Sequence, residues 1–173
     1  MTANIEAAWV EDIKIRTLGP ERISRPDFRA VAHEIEAGEI YDDGIVWIDA
    51  IPVDHLTWPF AFGYRFRTPD RTIVISGDAR PSAALLEACN RCDVLVQEVY
   101  SRTFIDGHQN PDYHLQAHTS TAELAKLAAK AQPGLLVLYH QPHGWASDED
   151  LVKEVREAGY KGKVVSARDL DVF

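Results

Sequence analysis

The sequence holds no uncharged apolar run of about 18 residues, the length a membrane-spanning helix needs. Its first residues, MTANIEAAWVEDIKIRT, contain no basic stretch followed by an apolar one, so no secretory leader is expected and the chain reads as cytoplasmic, with no membrane partner. No run of Lys or Arg is long enough to track a phosphate backbone, and 18 basic against 27 acidic residues leave a net charge of -9. Nucleic acid is therefore an unexpected partner, because phosphate contacts supply most of such affinity. Cysteine is scarce: Cys89 and Cys92 form one CxxC with no second pair to complete a zinc site, and their placement late in an expected helix reads as incidental. Repeats, low-complexity tracts and linkers are absent too. What remains is ordinary for a soluble globular protein, with 46% apolar and 26% charged residues in 173, enough for a single domain with a buried core.

The chain changes character near residue 43. Residues 1–43 have weak periodicity and prolines at Pro20 and Pro26, which predicts irregular structure with one short strand around Phe28 to Ile35. From Gly44 the signals sharpen. Gly44 to Val53 and Ala61 to Arg67 are rich in β-branched and aromatic residues, and the TPDR turn joins the second of these to a strand over Thr72 to Ser76. Beyond Asp78 helix and strand alternate: helix 81–90, strand 94–98, a long loop, helix 119–131, strand 135–139, helix 148–158 and strand 163–166. Ser120 with Glu123 and Ser147 with Asp150 have the spacing of helix N-caps, Pro81 suits a first helical turn, and Gly159 a helix end. This is an α/β layered domain.

Polar residues stand where the apolar strands stop. TIVIS runs into Gly77 and Asp78, DVLVQE ends on Glu98, and LLVLY is followed by His140. In α/β sheets ligands collect beyond the carboxyl ends of strands, where rigidly held loops converge. His118 adds a fourth group just before the capped helix. Asp and His at converging strand ends are metal-ligand types. Each has an ordinary alternative, as turn residue, solvated strand end or helix neighbour; their joint placement argues for the site. His143, three residues after His140, reads as a surface residue, and His33, His108 and His114 have no partner by spacing.

In order, PVDH (52–55), AFGYRF (61–66), SGDA (76–79), DVLVQE (93–98), HTST (118–121) and LLVLYH (135–140) resemble the second half of metallo-β-lactamase-fold hydrolases of the ribonuclease Z and arylsulfatase-like branch. The resemblance implies half of an αββα sandwich, a mixed β-sheet covered by helices, over residues 44–173. It also implies zinc as cofactor, two ions in the intact family, with Asp78 and His140 as metal ligands. His118, supported by Glu98, would assist departure of the leaving group during hydrolysis of a phosphodiester, sulfate ester or other small ester.

The departures are specific. The family's main metal motif, HxHxDH, lies in the other half of the fold, and this sequence contains no HxH at all. The family's further histidine has no counterpart near Arg25, and Gln97 stands where its HE motif has histidine. Two inherited ligands fall short of the three that catalytic zinc normally takes, so the expectation is a truncated hydrolase, inactive as this chain alone. Half a sandwich would also leave one sheet face apolar, with Trp47, Ile51, Tyr64, Phe66 and Val74 as candidates for it. A second copy of the chain or a separate N-terminal half would cover that face, unless residues 1–43 fold back over it. The alternative to an enzyme is a non-catalytic binding or dimerisation module. No basic, glycine-rich arm that could grip transfer RNA is present.

Overall fold

The computed structural model describes residues 2–20, 22–24, 30–109, 111–141 and 146–173. The backbone groups into two compact units, Met1–Ile35 and Glu36–Phe173. In the first, the irregular structure expected gives way to two short helices, α1 (Thr2–Ala8) and α2 (Val10–Leu18). α2 buries none of its residues and has no side-chain N-cap, and its ion pairs Glu11–Lys14 and Asp12–Arg16 are exposed. It therefore has no one-sided apolar stripe for a sequence reading to detect. Residues 30–35 form no strand; the rest of the strand expected there, and Arg25, lie outside the described residues.

The second unit is built on a seven-stranded sheet in sequential order: β1 (Gly38–Asp42), β2 (Trp47–Pro52), β3 (Phe62–Arg67), β4 (Thr72–Ile75), β5 (Val94–Glu98), β6 (Leu135–Tyr139) and β7 (Val164–Ser166). β1 to β4 pair antiparallel, and β4 to β7 pair parallel through helical crossovers. Those crossovers carry α3 (Ala83–Cys89), α4 (Arg102–Gly107), α5 (Pro111–Ala117), α6 (Thr121–Ala131) and α7 (Asp148–Glu157). The long loop expected between β5 and α6 thus holds two short helices. α6 and α7 begin at Ser120 and Ser147, each a full capping box with Glu123 and Asp150 as the spacing predicts; α3 is capped by Ser82 rather than started by Pro81. Among the described residues no helix is long and apolar enough to cross a membrane.

One sheet face carries the core. Ile51, Val74, Leu95, Leu136 and Leu138 pack with Leu85 of α3, Leu124 and Ala128 of α6, and Leu151 and Val155 of α7. Cys89 and Cys92 sit in this core and are joined as a disulfide, so their pairing is structural and not incidental. Strand register sends Ile48, Tyr64, Phe66, Ile73, Ile75, Val94 and Val96 to the opposite face. None of these joins the core, and all stay half-exposed. Three of the five candidates for the open face are thereby corrected: Ile51 and Val74 point into the core, because the side-chain period of a strand is two and they share parity with the helix-covered set. Trp47 lies on their side as well, across from Arg67.

Candidate metal centre at the carboxyl edge of the sheet

Three strand ends and one helix start converge. β4 runs out through Ser76 and Gly77 to Asp78. Gly77 has φ +65°, and a Cβ there would stand 2.9 Å from the carbonyl oxygen of Phe62. Only glycine makes this turn without strain, and the turn sets the direction of Asp78. His140 follows β6 directly and has φ +48°, a left-handed backbone that costs a histidine free energy and that tends to mark functional positions. His118 ends the segment after α5, one residue ahead of Thr119 and the Ser120 cap.

Glu98, the last residue of β5, ties these parts together. It is 1% exposed, and its Oε1 accepts hydrogen bonds from the backbone N–H of Ala79 (3.1 Å) and of Thr119 (3.0 Å), the residues next to Asp78 and His118. The Thr119 hydroxyl donates to the Ala79 carbonyl at 2.6 Å and accepts from the Gln97 side-chain amide at 3.3 Å. The loops bearing Asp78 and His118 are therefore fastened to one buried carboxylate. The same Oε1 lies 3.3 Å from His118 Nδ1, which leaves Nε2 as the outward nitrogen. Burial pushes the Glu98 carboxyl above the ordinary carboxylate range, partly offset by its donors. Burial opposes the charged form of His118, but the hydrogen bond and charge of Glu98, with the charge of Asp78, outweigh it and raise its pKa. Between them the two groups hold a proton firmly.

His140 Nδ1 stands 3.1 Å from Asp78 Oδ1. One ligand-type atom from each of Asp78, His118 and His140 lies within 4.8 Å of the others. The structure thus brings together the four residues singled out in the sequence: Asp78, His118 and His140 at the surface of the cluster, Glu98 behind. One carboxylate with two imidazoles is a donor set suited to zinc, and three protein ligands with a remaining position for water is the usual catalytic arrangement. Tetrahedral zinc ligands about 2.0 to 2.1 Å from the ion stand about 3.3 Å apart, close to the Asp78–His140 separation. The residues present fit one ion.

The cluster opens on a cleft of about 1000 Å³ lined by Glu98, His118, Tyr139, His140, Asp148 and Arg168 among others. Arg168 Nε donates to Asp148 Oδ2 at 2.7 Å. Histidines to which the sequence assigned no role also gather here. The His55 ring meets His118 edge-on at 5.2 Å while its Nδ1 contacts the Ala117 carbonyl, and His114 stacks on His118 at 5.6 Å with His108 4.5 Å beyond. Burial and the neighbouring His108 and His118 lower the pKa of His114. Its position four residues before His118 was the available signal; His55, within PVDH, had none beyond the resemblance. His143 lies outside the described residues.

No protein-family model matches the chain. It is 35% identical over 103 residues to the ribonuclease Z of Shouchella clausii, a stretch that covers 60% of this chain and 31% of that protein. To the ribonuclease Z of Mycobacterium tuberculosis H37Rv it is 27% identical over 143 residues, covering 80% of this chain and 52% of that one. The chain therefore spans between about a third and a half of the length of these curated relatives. Among solved structures, the metallo-β-lactamase fold protein YhfI of Bacillus subtilis superposes with a TM-score of 0.60 at 21% identity, over 74% of this chain and 49% of that one. The short form of human tRNase Z does so with 0.56 at 21% identity, over 78% and 44%. At such identities the superpositions speak for the fold, and they cover half of it, as expected for a C-terminal half. By sequence the chain is similar to ribonuclease Z proteins, and its fold is that of metallo-β-lactamase-fold structures.

Proposed function

We propose that the chain is the C-terminal half of a metal-dependent hydrolase of phosphodiesters, with sulfate esters and other small esters as further substrate classes, and that it needs a complementary half to turn over. The observation that carries this reading is the clustering of Asp78, His118 and His140 donor atoms beside a cleft that His118 and His140 line, backed by the buried Glu98. Asp78 and His140 would hold a divalent ion, zinc by donor type. Such an ion supplies Lewis acidity and brings the pKa of water towards neutrality. His118, with a raised pKa and a tautomer set by Glu98, would deliver a proton from Nε2 to the departing oxygen; Glu98 would position it. The names of the ribonuclease Z relatives favour a phosphodiester over the other esters, and they favour RNA despite the acidic charge of this chain.

Two features support the reading of an incomplete hydrolase. The donors suffice for one ion where the family resemblance implies two, and the sheet keeps one face of Ile48, Tyr64, Phe66, Ile73 and Ile75 half-exposed. A second sheet bearing more ligands would meet both needs. The same open face, with no HxH in the sequence, also supports a second reading, a binding module that associates with another copy and turns nothing over.

A chimera decides between them: the N-terminal half of the Shouchella clausii ribonuclease Z fused ahead of Glu36, assayed with zinc and bis(p-nitrophenyl) phosphate. Turnover is expected from the chimera, none from the 173-residue chain, and none from the chimera with Asp78→Ala. A folded, zinc-loaded chimera without turnover would favour the module.

A further inference from the structure

We propose that in this chain by itself His118 is a metal ligand, so that Asp78, His118 and His140 form a self-sufficient one-ion site. The inference rests on the reading that Asp78 and His140 hold an ion, and it adds a third ligand from the residue otherwise assigned to proton delivery.

Three observations carry it. Donor atoms of all three residues lie within 4.8 Å of one another, so His118 reaches ligand spacing by closing at most about 1.5 Å towards the other two. Next, the His118 ring is held as a ligand ring is: Nδ1 faces the Glu98 carboxylate at 3.3 Å, which leaves Nε2 as the nitrogen available to an ion. A carboxylate on the far nitrogen of a ligating histidine fixes its tautomer and orientation and strengthens it as a donor. Glu98 does this from a rigid place, buried and gripped by the N–H groups of Ala79 and Thr119. Last, the sequence has no HxH, and among the described residues this is the one group of three or more His, Cys, Asp or Glu with donor atoms so close together.

The consequence is chemical. One imidazole nitrogen cannot hold an ion and hand over a proton at the same time. The isolated chain would bind an ion in a form that takes His118 out of proton transfer, a physical reason beyond the absent HxH for expecting no turnover from it. Ligands arriving from another half would release His118 to its second task.

The test is metal binding, with no turnover involved. The metal-free 173-residue chain is titrated with Zn²⁺ by calorimetry and with Co²⁺ by visible absorption, beside Asp78→Ala, His140→Ala, His118→Ala and Glu98→Gln, each checked for folding by circular dichroism. One ion per chain is expected. His118→Ala should lose affinity by more than the roughly 10–100-fold that a supporting partner costs, and Glu98→Gln by about that much. Should His118→Ala fail to fold, the imidazole ¹⁵N resonances of the unaltered chain serve instead, and Nε2 of His118 should shift on addition of one equivalent of Zn²⁺. Loss of binding in Asp78→Ala and His140→Ala with His118→Ala unchanged, or a His118 Nε2 resonance that does not move, would overturn the proposal and leave the wider reading intact. A stoichiometry of two would overturn it as well. Binding unaffected by any of these substitutions would overturn both.

Discussion

At the scale of the residue, His140 shows structure and chemistry pulling in different directions. Its left-handed backbone, φ +48°, carries a strain of about 1–3 kcal/mol for a residue with a Cβ and no local hydrogen bond to favour it. Its contact with Asp78 is half-exposed and returns little of that, since exposed ion pairs are worth about 0–1 kcal/mol. Asparagine tolerates this conformation better. His140→Asn should therefore melt at the same temperature as the unaltered chain or higher when a chelator is present, while losing the rise in melting temperature that added zinc gives. A fall in the chelated melting temperature would show that the His140 ring supports the fold.

At the scale of the element, the β2–β3 hairpin carries a polar cluster on the stretch of sheet beyond the core. Asp49 Oδ2 accepts from Arg65 Nε at 2.9 Å and from Arg67 Nε at 3.1 Å, with the Asp49 side chain 14% exposed. Partial burial opposes its charge, but the two guanidiniums prevail and hold its pKa below the ordinary carboxylate range. A lowered folded-state pKa contributes stability that is present above the unfolded value and is lost as pH falls through the folded one. Asp49→Asn should cost about 1–2 kcal/mol near neutral pH, and the gap should close once the medium is acid enough to protonate Asp49. Urea titrations of both chains at a series of pH values falling from pH 7 measure it; a gap that stays constant through the whole acid range in which the chains still fold would show that shape, not charge, is what the arginines recognise.

At the scale of the whole molecule, the sheet is one layer of a fold that the family builds with two. Ile48, Tyr64, Phe66, Ile73 and Ile75 present a half-exposed apolar face. Contiguous apolar surface of this kind drives association. Phe66→Lys with Ile73→Lys places two charges at paired positions of neighbouring strands, on the face that no core helix covers. Sedimentation velocity should find the unaltered chain dimeric or larger and the double variant shifted to monomer, with unchanged far-ultraviolet circular dichroism. A monomeric unaltered chain would remove the case for association.

Most elements beyond residue 43 were legible in the sequence because their causes are local. Alternation and β-branching mark strands, a serine three residues ahead of an acid marks where α6 and α7 begin, and a strand that stops on Asp78, Glu98 or His140 delivers that side chain to the sheet's edge wherever the strand lies. The two helices before residue 19 escaped detection because, in α2, nothing is buried to impose a period. What the tertiary structure alone decided depends on register and on bonds between distant residues. Ile51 and Val74 differ from Tyr64 and Phe66 in which face they occupy, and parity is fixed only when strands pair. Glu98 meets Thr119 across 21 positions, and that bond, with its twin to Ala79, draws His118 towards Asp78 and His140. A sequence specifies which donors it carries and which strand ends deliver them; the spacing that brings three of them within 4.8 Å of one another exists only once the strands have paired and the loops are fastened to a buried carboxylate.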